Sequence, residues 1–324
     1  MANGLDHLHI GVWSYLEGSI DERVSRLYAP KWVAYSRGNE ALARMAHLLN
    51  HPPSGRMPCM LLHGDSNIGK TMIVEKFVRD NPNICNEFNE VEIRKTVHLQ
   101  MPANPCDNKL YAQIIEGLGV QPPVNRRGTD MELLGLRLLH RQPPKLMIID
   151  EVHHLLAGSV REQRQLLNQL KFISNDLRMP IVALGTSEAL YAMQTDPQIA
   201  SRFEPFSLPK WRESPEFREF VVSFGWLLPL EKPSPLADKT IIQKLMGLSS
   251  GLTGKVTTLL TQAAELAIRQ KTEFINAELI DQAAANGIYK LAHWTQTQKR
   301  KVFKAEEEVS CSRNGTLRTD LVTH

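Results

Sequence analysis

Apolar residues recur along this chain in two different rhythms. Near the start they stand three and four positions apart, in Asp21-Glu22-Arg23-Val24-Ser25-Arg26-Leu27-Tyr28 and again from Asn39 to Leu49, which is the spacing of one helical face. The run His51-Pro52-Pro53-Ser54-Gly55 then breaks the chain. From residue 56 to 212 short apolar runs alternate with helical stretches. Strands are predicted at Cys59–His63, Val91–Gln100, Lys145–Ile149, Pro180–Gly185 and Pro205–Pro209, with helices near 70–80, 107–118, 130–140, 161–176 and 187–194. Such alternation implies right-handed crossovers and a parallel α/β sheet. Beyond 213 the strands stop, and helical spacing near 215–228, 237–248, 254–270 and 277–286 predicts a small all-α domain. The expected organisation is a helical N-terminal extension over 1–55, an α/β core over 56–212, the all-α domain over 213–290 and a polar, flexible tail over 291–324.

Composition narrows the class without choosing it. Hydrophobic residues make up 42% and charged residues 23% of 324 positions, an ordinary globular balance that excludes wholesale disorder. A net charge of +3 does not by itself mark a nucleic-acid binder, although a fold can gather basic residues on one face. Cys59, Cys85, Cys106 and Cys311 form no CxxC pair, so neither a disulfide framework nor a zinc site is expected. The opening residues lack a basic stretch followed by an apolar one, and no apolar run reaches the roughly 20 residues of a membrane span. The expectation is a cytoplasmic protein with no membrane partner.

The candidate chemistry begins at Gly64-Asp65-Ser66-Asn67-Ile68-Gly69-Lys70-Thr71, which matches the phosphate-binding pattern G-x-x-x-x-G-K-[ST]. It follows the apolar run Met60-Leu61-Leu62 and opens a helix, the context this loop requires. Glycines let successive backbone N–H groups face the phosphates of ATP, and the helix start adds its positive dipole end. Lys70 would reach the β- and γ-phosphates, and Thr71 would ligate Mg²⁺. Further on, Lys145-Leu146-Met147-Ile148-Ile149-Asp150-Glu151 is a buried strand ending in two carboxylates. Asp150 suits the metal's coordination shell, and Glu151 suits positioning of the attacking water. His153 and His154 follow at once, but their spacing matches no paired-ligand pattern, and imidazoles rarely serve Mg²⁺.

With these residues in view, the chain resembles the AAA+ ATPases over about 35–290, because an extra strand and helix separate the phosphate loop from the acidic strand and a helical domain follows the sheet. More closely, Arg56–Thr71, Leu146–His153, Ala183-Leu184-Gly185-Thr186-Ser187-Glu188-Ala189 and Ser201-Arg202-Phe203 are similar to the TniB family of bacterial transposition proteins, relatives of TnsC. The resemblance implies a sheet of order 5-1-4-3-2 and a lid formed by the all-α domain. It implies that Thr186 senses the γ-phosphate, though the same residue suits a helix N-cap. Arg202 takes the place of an arginine finger acting on a neighbouring subunit, with a surface salt bridge as the alternative. Lys255, in Ser250-Gly251-Leu252-Thr253-Gly254-Lys255, takes the place of a second sensor or is a solvated helical lysine.

The implied function is an ATP-dependent regulator of transposition. It would oligomerise on double-stranded DNA as a ring or helical filament, mark a target for a transposase together with an adaptor protein, and disassemble on hydrolysis. Lys95, Lys109, Arg126 and Arg127 are the candidate phosphate contacts. The competing readings are a protein-directed AAA+ ATPase and a replication helicase-loader. The N-terminal extension would brace a neighbouring subunit or pack on its own core. Trp294 and Lys299-Arg300-Lys301 would dock a partner or belong to a disordered tail.

Overall fold

The computed structural model describes residues 6–86, 91–123, 128–194 and 197–286. Arg126, Arg127 and the 291–324 tail lie outside them. Five strands, β1 (Cys59–His63), β2 (Thr96–Gln100), β3 (Leu146–Asp150), β4 (Ile181–Gly185) and β5 (Phe203–Ser207), form one sheet in the order β2-β3-β4-β1-β5. Every neighbouring pair is parallel. Alternate residues leave opposite faces of the sheet and feed two separate cores. Leu61, Val97, Leu99, Met147, Ile149, Ile181 and Ala183 face one side, while Met60, Leu62, Leu146, Ile148, Val182, Leu184 and Phe206 face the other. Burial on both faces explains why the inner strands β1, β3 and β4 read in sequence as continuous apolar runs.

Val91–Gln100 is not one strand. The chain breaks at Arg94-Lys95, and Val91–Ile93 instead pairs antiparallel with Ile84–Asn86 as a separate hairpin. An apolar run bridged by two basic residues carries no periodicity that locates the break. The last strand also starts two residues earlier than its apolar run suggests, at Phe203.

Around the sheet stand α1 (Ile20–Leu27), α2 (Ser36–Leu49), α3 (Lys70–Asp80), α4 (Asp107–Gly117), α5 (Gly128–Arg141), α6 (Val160–Asp176) and α7 (Ser187–Gln194). After β5 come α8 (Pro215–Gly225), α9 (Lys239–Ser249) and α10 (Thr253–Arg269), with further helix over 277–286. None of the helices among the described residues is long and apolar enough to cross a membrane.

The N-terminal region is divided between two cores. Met45, Leu48 and Leu49 of α2 pack with α3 against the sheet. Val24 and Leu27 of α1, with Val33, join the apolar cluster of α8, α9 and α10. The join is reinforced by a buried ion pair between Arg23 and Glu273, 5% and 7% exposed. Both terminal guanidinium nitrogens donate to the Glu273 carboxylate, and Nη2 also donates to the Pro229 carbonyl at 2.8 Å. Removing one partner strands the other charge in the interior. Arg23→Ala is therefore expected to cost about 3–5 kcal/mol of unfolding free energy. Urea titration should show it as a lower midpoint with an unchanged slope.

Candidate functional site

The C-terminal ends of β1, β3 and β4 meet at one point, where Gly64–Thr71, Asp150, Glu151 and Thr186 converge. Gly64 N–H donates to the Gly185 carbonyl at 3.2 Å, which sets the start of the loop against the end of β4. A side chain at position 64 would come within 2.8 Å of the Leu208 carbonyl, so the close passage needs glycine. Gly69, with φ +103°, turns the loop into α3.

Lys70 is 8% exposed, and its ammonium donates to the Gly64 and Asp65 carbonyls at 2.8 and 3.0 Å. Burial pulls its pKa below the ordinary lysine value, and the nearby Glu151, Asp150 and Asp65 carboxylates oppose that pull. The Thr71 hydroxyl donates to Asp150 Oδ2 at 3.1 Å, and the other oxygen of Asp150 accepts the Glu151 N–H at 2.7 Å. A hydroxyl and a carboxylate oxygen side by side, with a buried cation next to them, form the oxygen set a hard divalent ion takes. The donor set fits Mg²⁺ bound next to a polyphosphate.

Thr186 follows β4 directly, and its hydroxyl is buried without a hydrogen-bond partner. The hydroxyl therefore does not cap α7. The pKa of His63, at the end of β1, is lowered by burial and by the charges of Lys70 and Arg37. Glu151, His153 and His154 offer possible ligand atoms within 4.8 Å of one another. His154 Nδ1, however, lies 2.9 Å from the Met101 carbonyl, a partner that requires the proton on that nitrogen.

The start of α10 docks on the loop. Gly254 N–H donates to the Asn67 carbonyl at 2.7 Å, and Asn67 adopts the left-handed conformation with φ 63°. Trp211 Nε1 donates to Thr253 Oγ1 at 3.0 Å, and Lys210 pairs with Asp65 at 2.7 Å. Between these contacts and the N-terminal segment lies a cavity of about 170 Å³, lined among others by Tyr35, Arg37, Ile68, Trp211 and Thr253. Its aromatic walls next to Ile68 suit a flat heterocycle. Neither Tyr35 nor Trp211 stands in a motif, so only their meeting in three dimensions marks them. Lys255 is exposed, one position beyond the docked Gly254.

Arg202 lies elsewhere. It precedes Phe203, which pairs with Cys59 at the opposite end of β1 from the loop. Four residues of strand put about 13 Å between Arg202 and the end of β1 that carries its own phosphate loop. Its guanidinium donates to the amide oxygen of Asn175 at 2.5 Å rather than to a carboxylate. It lines an open groove of about 960 Å³ together with Arg44, His47, Arg56 and Ser201. Lys95 and Lys109 bracket the edge strand β2, Lys95 before it and Lys109 at the start of the helix that follows.

The family model described as bacterial TniB protein matches residues 23–213. No curated protein matches the chain. Among solved structures, the Aeropyrum pernix ORC1 protein in complex with DNA is similar with a TM-score of 0.60 and 17% identity, over 81% of this chain and 69% of that one. The ORC2 protein of the same organism, in ADPNP-ADP complexes, gives 0.58 and 18% over 82% and 72%. Cdc6p from Pyrobaculum aerophilum gives 0.60 and 12% over 81% and 71%. At these identities the likeness is one of fold, and the fold is that of the AAA+ ATPases.

Proposed function

This chain belongs to the TniB family, and from that premise we propose that it is a Mg²⁺-dependent ATPase that assembles on duplex DNA when ATP is bound, marks a target for a transposase and an adaptor protein, and leaves on hydrolysis. The observation that carries the reading is the Thr71 hydroxyl 3.1 Å from the Asp150 carboxylate, beside the buried Lys70 ammonium.

On this reading the base of ATP enters the cavity lined by Tyr35, Ile68 and Trp211. The triphosphate lies along Gly64–Gly69 and takes over the Lys70 ammonium from the two loop carbonyls. Thr71 and Asp150 would hold Mg²⁺, which would supply positive charge beside the phosphates. Glu151 orients the attacking water, and the unpartnered Thr186 hydroxyl donates to the γ-phosphoryl oxygen it faces. Lys255 reaches the phosphates from the lid, whose α10 already rests on the loop. The α/β core and the helical lid thus work as separate domains around one nucleotide. Arg202 completes the site of a neighbouring subunit in a homo-oligomer, since about 13 Å separates it from its own loop.

Duplex contact is supported by Lys95 and Lys109, which stand before the edge strand β2 and at the start of the helix after it, where each would contact a backbone phosphate. Arg126 and Arg127, outside the described residues, belong to the same proposal. The test is binding to a labelled duplex with ATP, a non-hydrolysable analogue, ADP or no nucleotide, each at two salt concentrations. Salt-sensitive binding confined to the triphosphate states is expected, with DNA tightening ATP by the same factor that ATP tightens DNA. A preference for single strands would replace this reading with the helicase-loader, and indifference to DNA with a protein-directed ATPase.

A further inference from the structure

The turn after β3 is built to hold a side chain in place. Glu151 takes the left-handed conformation with φ 55°, which non-glycine residues keep only where the surroundings enforce it. The conformation sends the chain into the short 3₁₀ helix Val152–Ala157, which brings His153 beside the Glu151 carboxylate. His153 Nδ1 lies 3.0 Å from Glu151 Oε2, is buried, and is not yet aligned for a hydrogen bond with any group. Hydrogen bonds of this kind often come into line only when the substrate is bound.

The imidazole is braced from behind. Its ring stands 4.8 Å from that of His154. His154 is in turn fixed to the Met101 carbonyl, and Met101 N–H donates to the Asp150 carbonyl at 2.8 Å. On the other side the turn lies against β4 so closely that a side chain at Gly185 would meet Val152 at 3.1 Å and Ala189 at 2.6 Å. A ring held this firmly, with Nδ1 3.0 Å from a carboxylate oxygen, is placed to fix that carboxylate in turn.

We propose that His153 is a positioning residue for hydrolysis: its Nδ1–H holds Glu151 Oε2, so that Oε1 faces the attacking water. The inference rests on the ATPase reading above. As the water oxygen bonds to the γ-phosphorus, its proton passes to Oε1. The bond to the bridging oxygen breaks, and that oxygen leaves on ADP with the electron pair. Glu151 then returns the proton to solvent. His153 touches neither the water nor the phosphate and acts only through Glu151.

The test is steady-state ATP turnover and ATP affinity of the full chain for four variants: His153→Ala, His153→Asn, Glu151→Gln and the double variant Glu151→Gln/His153→Ala. An asparagine amide places an N–H where Nδ1–H stood. His153→Ala is expected to lower kcat by about 10- to 100-fold, the scale of a misplaced catalytic group, with ATP affinity unchanged. His153→Asn should recover most of the loss, and the double variant should turn over no more slowly than Glu151→Gln alone. Undiminished kcat in His153→Ala, a loss of ATP affinity with it, or a further loss in the double variant would overturn the positioning role and leave the ATPase reading standing. A wild-type chain that binds ATP but never hydrolyses it, with or without duplex DNA, would overturn both.

Discussion

Lys70→Ala is expected to abolish ATP binding at cellular concentrations, and every nucleotide-dependent property with it. The ammonium is 8% exposed and held by two loop carbonyls, so a triphosphate meets it already desolvated and positioned. Truncating one partner of such a buried, charged contact costs about 2–5 kcal/mol, which is about 30-fold to several-thousand-fold in Kd. Titration calorimetry with a non-hydrolysable analogue reads it directly. Lys70→Arg should fail almost as badly, because a planar fork does not enter a niche shaped for a compact ammonium. The variant should still fold, since Asp65, Ser66 and Asn67 of the loop are exposed and water can replace the ammonium beside them. An unchanged unfolding midpoint therefore separates a lost ligand from a lost fold. ATP affinity within twofold of wild type would remove Lys70, and the nucleotide reading with it.

The phosphate loop and the acidic pair were legible in the sequence for a physical reason. Each needs particular residue types at fixed spacing along one short segment: glycines at 64 and 69 for backbone geometry, and carboxylates at 150 and 151 where a buried strand surfaces. The inner strands β1, β3 and β4 were legible because burial on both faces leaves unbroken apolar runs. What sequence could not supply was anything made by distant segments. Tyr35 and Trp211 stand 176 positions apart in number and meet with ring centroids 5.3 Å apart. Their cavity has no local signature, because an aromatic residue at either position reads equally well as core. The break at Arg94-Lys95 escaped for the opposite reason, since hairpin and sheet strand share one apolar run and only pairing partners tell them apart.

His153 shows how a residue's local reading changes once neighbours are visible. In sequence, two histidines after an acidic pair invite a metal and fail its spacing. In the structure Met101 claims His154 Nδ1, and His153 is left facing Glu151. The same three residues that could be grouped as ligands are better described as a carboxylate and the scaffold that aims it. The start of α10 adds a second contact that spacing alone does not reveal: Gly254 N–H donates to the Asn67 carbonyl and ties the helix directly to the loop.

Arg202→Ala is expected to lower kcat by about a thousandfold or more, the effect of removing an arginine that stabilises a transferring phosphoryl group. ATP affinity per subunit should change little, because about 13 Å of strand separates Arg202 from its own loop. The distinguishing measurement is a mixture. Arg202→Ala subunits keep an intact loop and Glu151, whereas Glu151→Gln subunits keep an intact Arg202. Neither hydrolyses ATP appreciably alone, yet in a head-to-tail assembly about a quarter of randomly formed junctions pair a sound site with a sound arginine. Activity should therefore reappear on mixing, and wild-type kcat should rise with protein concentration as junctions form. Arg202 donates to the Asn175 amide oxygen in the single chain, an uncharged acceptor that an incoming phosphate outcompetes by pairing its charge with the guanidinium in a bidentate fork. Asn175→Ala should thus leave turnover near wild type. A mixture that stays inactive, or an Arg202→Ala variant with full turnover, would place the completing charge elsewhere, and Arg56 on the same groove is the next residue to substitute.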